Sequence, residues 1–139
     1  MNILLYIWQL PQNLLALIVT AVVSIKHKKL YTTKYKGITY YWFKDWNRGV
    51  SLGNYVILGN WALDKEATIN HEYGHTIQSK ILGPLYLFTV GILSGCGNLI
   101  DQWFHTEKNG WSYERAERWY YNQIVEKWAD FCGKVQRKF

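Results

Sequence analysis

The residues best suited to chemistry are two histidines and a glutamate in the stretch INHEYGHTIQS, residues 69–79. On a helix, His71 and His75 lie one turn apart on the same face, so both imidazoles can bind a single zinc ion. Glu72 follows the first histidine directly, which places it to take a proton from a water on that metal. In a chain with four histidines, the H-E-x-x-H spacing predicts a zinc-hydrolase site.

A catalytic zinc ion needs a third protein ligand and an open position for water. The extended pattern H-E-x-x-H-x-x-G-x-x-H is absent, because Gln78 and Ile81 stand where its glycine and third histidine would be. The stretch EKWAD offers two carboxylates one helical turn apart instead. Glu126 is a candidate zinc ligand, and Asp130 is a candidate acceptor for the outer ring nitrogen of a ligating histidine. Taken alone, EKWAD also fits a solvated helix face.

Two helices are predicted to carry these groups. The first begins near Asp64 as its N-cap, runs through Lys80 and ends at Gly83. The second, YERAERWYYNQIVEKWADFC, is a long helix that begins after Ser112 and stops at Gly133. The carboxylate pair therefore lies near the end of the second helix.

Gly74 stands between the two histidines of the first helix. Glycine inside a helix costs about 1 kcal/mol relative to alanine. A close neighbour on that helix face would explain the choice, and the backbone that carries the third ligand is one candidate. The glycine thus indicates tight packing beside the metal site.

Two stretches before the first helix are rich in β-branched and aromatic residues. They are YKGITYYWFK at 35–44 and GVSLGNYVILG at 49–59, with DWNRG between them as a turn, so the pair is interpreted as a β-hairpin. The predicted fold class is α+β and mostly helical. Its order is an N-terminal hydrophobic helix, the hairpin, the H-E-x-x-H helix, a second apolar helical segment and the long C-terminal helix.

Two uncharged apolar runs, residues 3–25 and 81–100, have about the length needed to cross a bilayer as a helix. Pro11 would kink or divide the first run, and the basic KHKK that follows predicts that the rest of the chain is cytoplasmic. We therefore expect a membrane-associated protein, integral or tightly bound, with the lipid bilayer as a partner. The alternative is that the first run forms a core helix of a soluble protein.

The net charge of +6 could indicate a nucleic-acid partner. The lysines instead cluster beside the first apolar run and at the C-terminus, without a nucleic-acid-binding motif, so no nucleic-acid partner is expected. Attraction to anionic lipid explains this placement. Cys96 and Cys132 are too few for a disulfide framework and lack C-x-x-C spacing, so they are interpreted as buried or free thiols, with a single bridge left open.

HEYGH followed by EKWAD resembles the gluzincins, the metallopeptidases whose third zinc ligand is a glutamate. The nearest type is the membrane gluzincins of the CAAX-prenyl-protease and heat-shock-protease kind, and HEYGHTIQSKILGPLYL is also similar to a stretch of small bacterial membrane proteins. The resemblance covers residues 49–133 and implies one Zn²⁺ per chain. It implies that the metal ligands are His71, His75 and Glu126. It also implies that Glu72 is the general base and that Asp130 supports a ligating histidine.

The resemblance implies a membrane-associated zinc metallopeptidase that hydrolyses peptide bonds in a peptide or membrane-protein substrate. Residues 1–29 would then be a membrane anchor or amphipathic helix, and residues 30–139 a minimal zincin-like domain that contains the apolar segment 81–100. The strand GNYVILG would be the edge that pairs with the substrate, and its residues nearest the substrate would be Gly53, Asn54, Tyr55 and Val56. Candidates for stabilising the oxyanion, by residue type alone, are His105, Tyr113 and Arg118.

Two other functions compete with this interpretation. HEYGH also resembles the H-E-x-G-H of site-2-type intramembrane proteases, whose third ligand is an aspartate in a later apolar segment, and Asp101 closes the second apolar run. Charges are costly inside a bilayer, however, and the predicted H-E-x-x-H helix is polar. The other alternative is a non-catalytic zinc-binding membrane protein.

Overall fold

The computed structural model describes residues 3–137, which form six α-helices and one four-stranded sheet. The helices are α1 (Ile3–Trp8), α2 (Leu10–Lys26), α3 (Glu66–Leu82), α4 (Ile92–Phe104), α5 (Tyr113–Tyr121) and α6 (Ile124–Gly133). The strands are β1 (Lys29–Tyr35), β2 (Ile38–Phe43), β3 (Gly49–Leu52) and β4 (Tyr55–Gly59). Shorter 3-10 or π-helical turns are Asn60–Ala62, Gly83–Tyr86, Leu87–Gly91 and Glu107–Asn109. The predicted α+β class is confirmed.

The sheet contains two hairpins where the sequence predicted one. Its strand order is β1-β2-β4-β3, with antiparallel pairs at both sides and a parallel pair β2–β4 in the middle. The predicted pairing of 35–44 with 49–59 across DWNRG is therefore wrong. Each stretch holds a tight turn of its own, since Lys36, Gly37 and Gly53 have positive φ angles of 50°, 79° and 61°.

The two faces of the sheet pack against different helices. One face, with Tyr40 and Val56 fully buried, contacts α3 through Ile69 and Tyr73. The opposite face, with Phe43, Ile57 and Val50, contacts α2 through Val19 and Val23. The sheet therefore lies between α2 and α3, and hydrophobic packing against the sheet fixes the position of α3.

Helix α6 packs on the other side of α3 at very short range. A Cβ atom on Gly74 of α3 would overlap the carbonyl oxygen of Ala129, and one on Gly133 of α6 would overlap the carbonyl oxygen of Asn70. Only glycine permits this approach, because any side chain would separate the two backbones. The close neighbour expected at Gly74 is present, and it is the helix that carries Glu126.

The predicted helix boundaries hold in part. Ser112 caps α5 by accepting a hydrogen bond from the amide of Arg115, and Gly83 ends α3 with a φ of 53°. Helix α3 begins one residue later than predicted, with Lys65 rather than Asp64 at its N-cap position. The single long C-terminal helix is wrong, because the chain becomes extended at Gln123 and divides it into α5 and α6. This break turns α6 against α3.

In residues 3–137, the described part of the chain, neither apolar run forms a helix that is both long and apolar enough to span a bilayer. The prediction of an integral or tightly bound membrane protein is therefore contradicted. The first run divides at Gln9 into α1 and α2, and the second divides into Gly83–Tyr86, Leu87–Gly91 and α4. Of the predicted segments 1–29 and 30–139, residues 1–2 and 138–139 lie outside the described residues.

Polar side chains within the first run explain why it folds onto the protein. Gln12 and Asn13 are fully buried. The Gln12 amide donates to the carbonyl oxygen of Gly83, and the Asn13 side-chain oxygen accepts from the backbone amide of Asn54 at 2.9 Å. Because buried polar groups need partners, these contacts tie α2 to the turn after α3 and to the turn between β3 and β4.

Candidate metal centre

Three predicted ligands meet between α3 and α6. His71 and His75 project from α3 and Glu126 projects from α6, and all three are buried. Glu126 Oε2 lies 3.1 Å from His71 Nε2 and 3.2 Å from His75 Nε2. Ligand atoms about 2.0 Å from a tetrahedral zinc ion are separated from one another by about 3.3 Å. The spacing of these three groups therefore fits a single metal ion.

The outer nitrogens of both imidazoles have acceptors. His71 Nδ1 lies 2.6 Å from Asp130 Oδ1, and His75 Nδ1 lies 2.7 Å from Gln78 Oε1. The amide nitrogen of Gln78 donates to the carbonyl oxygen of Val125 at 2.8 Å, which fixes the glutamine oxygen toward the histidine. Each Nδ1 therefore carries a hydrogen, and each Nε2 turns inward toward Glu126 as a metal ligand must.

A cation between the two imidazoles and the Glu126 carboxylate would stabilise this arrangement. Neutral imidazoles with hydrogen on Nδ1 present lone pairs to Glu126 Oε2, and lone pairs facing one another repel. Glu126 Oε1 is also buried without a hydrogen-bond partner among the described residues. Such a group is costly to bury unless a proton or a metal ion satisfies it. The three side chains thus form a buried group that can hold a metal ion.

In the metal-free protein a proton takes part of this role. Burial lowers the pKa of His71, but its hydrogen bonds to Asp130 and Glu126 outweigh burial and raise that pKa to about 9. Burial raises the pKa of Glu126, but its short contacts with His71 and His75 outweigh burial and hold that pKa well below its usual range. A metal ion would therefore displace the proton from His71 on binding.

Glu72 lies next to the ligands and is held by the sheet. Its Oε2 accepts a hydrogen bond of 2.5 Å from the hydroxyl of Ser51 on β3. A Cβ on Gly49 would overlap Glu72 Oε1, so the carboxylate lies directly over the backbone of β3. This contact fixes the side chain at the edge of the metal centre.

A cleft of about 1140 Å³ opens over the centre. Strand β3 forms one wall, α3 forms the floor, and residues of α4 and α5 form the opposite wall. Glu72, His71 and His75 lie in the floor, while Glu126 is buried beneath them. The cleft therefore exposes Glu72, His71 and His75 beside the edge of β3.

Two of the three oxyanion candidates line the cleft. They are His105 and Tyr113, whereas Arg118 lies along a separate groove between α4 and α5. His105 Nδ1 lies 3.2 Å from Asp101 Oδ1, and the ring stacks on Trp111 with centroids 3.8 Å apart. Asp101, the third ligand in the intramembrane-protease alternative, is thus paired with His105, and the buried ligand group contains Glu126.

The strand predicted to pair with a substrate is not at the edge of the sheet. Strand β4 lies between β2 and β3, and Val56 within it is fully buried. Gly53 and Asn54 form the turn that contacts Asn13, and Tyr55 pairs with both neighbouring strands. The edge position predicted for these four residues is wrong, because β3 folds back on β4 and takes the edge beside Glu72.

Several contributors to the centre were missed from sequence. Gln78 carries a local signal, since it follows His75 by three residues on the same helix face, although the extended zinc motif has glycine at that position. Ser51, Tyr121 and Arg137 carried none, because each reaches the centre through long-range folding. Both cysteines are free thiols among the described residues, and neither belongs to the buried ligand group.

Comparisons with known proteins do not identify a family for this chain. No protein-family model, no curated protein and no solved structure matches the chain. The resemblance to gluzincins therefore rests on HEYGH and EKWAD and stays a prediction.

Proposed function

We propose that the protein is a zinc-dependent metallopeptidase. The observation that carries the proposal is the approach of Glu126 Oε2 to both inward histidine nitrogens, at 3.1 and 3.2 Å, with Glu72 alongside. Two imidazoles and one carboxylate are the ligand set of catalytic zinc sites that keep a position open for water. One zinc ion per chain is proposed.

Zinc bound at this centre would supply Lewis acidity, polarising a carbonyl group and lowering the pKa of a coordinated water to about 7. The general base is Glu72, whose carboxylate is held by Ser51 and receives the proton of the attacking water. It then passes that proton to the leaving amine. His71 and His75 act as neutral ligands, so each must lose any second ring proton before the centre is loaded.

The proposed substrate is an extended peptide. Strand β3 is an edge strand that lines the cleft, and an edge strand offers unpaired backbone groups to which an extended peptide can add. Glu72 lies over Gly49 and bonds Ser51 on this strand. A peptide paired with β3 would therefore bring its backbone carbonyls close to the metal and the base.

The test compares Glu72→Gln with Glu66→Gln in zinc-loaded protein. Glu66 is an exposed glutamate in the first turn of the same helix. We expect Glu72→Gln to retain one zinc ion per chain by mass spectrometry and to lose peptide cleavage. Glu66→Gln should keep both properties.

Two results would overturn the proposal. The first is cleavage by Glu72→Gln at the wild-type rate. The second is a zinc-loaded wild-type protein that cleaves no member of a diverse peptide library, which would indicate a non-catalytic zinc-binding protein instead.

A further inference from the structure

The segment after α6 folds back beneath the metal centre. Lys134 adopts a left-handed conformation with a φ of 58°, and the amide of Val135 donates to the carbonyl oxygen of Asp130 at 2.8 Å. This turn brings Arg137 beside the carboxylate that contacts His71. The placement depends on backbone contacts as well as on the arginine itself.

Arg137 contacts Asp130 through two hydrogen bonds. Its Nε donates to Asp130 Oδ2 at 2.7 Å, and its Nη2 donates to Asp130 Oδ1 at 3.1 Å. The planar guanidinium matches the carboxylate at both oxygens, which fixes its rotation as well as its position. Asp130 Oδ1 is the oxygen that faces His71 Nδ1. The orientation of the arginine is therefore transmitted to the oxygen that supports the ligand.

Tyr121 also contacts both Arg137 and His71. The guanidinium of Arg137 lies 3.2 Å from the ring centroid of Tyr121, and that ring meets His71 edge-on with centroids 5.1 Å apart and planes at 89°. Arginine is favoured over an aromatic face by cation–π attraction. His71 is thus held at Nδ1 by Asp130 and along its ring by Tyr121, and Arg137 contacts both supports.

We propose that Arg137 is a positioning residue for the metal centre: it fixes Asp130 and Tyr121, which together fix the orientation of His71 for metal binding. The proposal rests on the metal site proposed above. A purely structural role, in which Arg137 only ties down the segment after α6, would stabilise the fold without changing metal affinity. The two roles differ in what they predict for zinc binding.

Replacing Arg137 should weaken zinc binding by about tenfold, the lower end of the range for groups that orient a ligand. Lysine keeps the charge but cannot bind both carboxylate oxygens in one plane. We therefore expect Arg137→Gln to lose about tenfold in zinc affinity and Arg137→Lys to recover little of it. The readout is a competition titration with a chromophoric zinc chelator.

Arg115→Gln is the matched control. Its guanidinium also lies over an aromatic ring, 4.1 Å from the centroid of Trp111, but on the exposed surface of α5. We expect its zinc affinity to match that of the wild type. Thermal unfolding of each metal-free variant reports any structural role separately.

A double substitution identifies the route. Because Arg137 acts in part through Asp130, Asp130→Asn with Arg137→Gln should lose less zinc affinity than the sum of the two single losses, since coupled residues are non-additive. Zinc affinity of Arg137→Gln within twofold of wild type would overturn the proposal, and so would fully additive losses. Loss of zinc binding in Glu126→Ala tests the metal site itself, so failure of the site and failure of the positioning role are distinguishable.

Discussion

His71 and His75 offer the same inward nitrogen from the same helix face, but their outer nitrogens are held by different chemistry. His71 bonds the carboxylate of Asp130, which comes from another helix and is itself bound by Arg137. His75 bonds the neutral amide of Gln78, one turn away on its own helix. One support carries charge and depends on long-range folding, and the other is uncharged and local.

This difference separates two tasks of a ligand support. A carboxylate beside an imidazole favours its positive charge and raises its basicity, while a neutral amide orients the ring without that electrostatic effect. The pKa of His71, about 9, shows the first effect. We therefore expect the affinity and pH dependence of the centre to depend more on Asp130 than on Gln78.

The largest expected effect comes from separating the two helices. Gly74→Ala places a methyl group against the carbonyl oxygen of Ala129, so α6 must move away from α3. We expect a loss of at least 1–3 kcal/mol in unfolding free energy, roughly the usual cost of overpacking, together with loss of zinc binding. Gly95→Ala is the control, because its Cβ meets no atom within 4 Å, and it should be neutral or stabilising by about 0.5–1 kcal/mol. Equal unfolding curves for the two variants would disprove the tight α3–α6 contact.

Glu126→Ala removes the group at which the two histidines meet. Loss of this ligand should lower zinc affinity by more than the roughly 100-fold upper limit for an orienting residue. The matched variant is Asp101→Ala, which removes the aspartate paired with His105 and should retain zinc. Mass spectrometry of the purified proteins measures both. If Glu126→Ala retained zinc and Asp101→Ala lost it, the third ligand would be Asp101 and not Glu126.

The sequence predicted the local parts of this centre. Four-residue spacing on a helix placed His71 and His75 together, and the same spacing placed Glu126 and Asp130 on one face of another helix. Gly74 indicated the close approach that joins them. These signals depend on helix periodicity and on the size of one side chain, both of which can be read from short stretches.

The long-range parts could not be predicted in this way. The order β1-β2-β4-β3 puts β3 rather than β4 beside Glu72, and strand pairing is set by tertiary packing more than by local composition. The apolar run at 3–25 suggested a bilayer because hydropathy ignores the partners that Gln12 and Asn13 find within the fold. Arg137 reaches Asp130 through a left-handed turn at Lys134. Residues other than glycine rarely adopt this conformation, so the sequence did not predict the turn.

The dependence of zinc affinity on pH tests the effect of the charged support, Asp130, on His71. The pKa of His71 in the folded, metal-free protein is about 9, above its ordinary value of 6.5. Protonated His71 therefore stabilises the metal-free fold fully below pH 6.5, and that stabilisation is lost as the pH rises through 9. Zinc must displace this proton, so zinc affinity should rise about tenfold per pH unit between about pH 7 and 8. Titration calorimetry in buffers of different ionisation enthalpy should detect about one proton released per zinc ion; a pH-independent affinity would contradict the assignment.

Asp130→Asn removes the charge while keeping the shape of the support. Zinc affinity should fall by about 10- to 100-fold without being lost. The pKa of His71 should also fall, because its hydrogen bond to Asp130 is among the causes that raise that pKa. The slope of zinc affinity against pH should therefore become shallower in this variant. An unchanged slope with reduced affinity would mean that Asp130 orients the ring without raising its basicity.

Gln78→Ala should have the smallest effect on zinc affinity, at about the tenfold lower end for orienting groups. Its amide fixes the ring of His75 by accepting from Nδ1 and donating to the carbonyl oxygen of Val125, but it adds no charge. Gln102→Ala is the control, because that glutamine is exposed and bonds Arg48 and Asn98 on the surface. A chelator-competition titration would rank the variants, with Gln102→Ala equal to wild type. If Gln78→Ala lost as much affinity as Asp130→Asn, orientation alone would account for both supports, and the charge of Asp130 would not distinguish the two histidines.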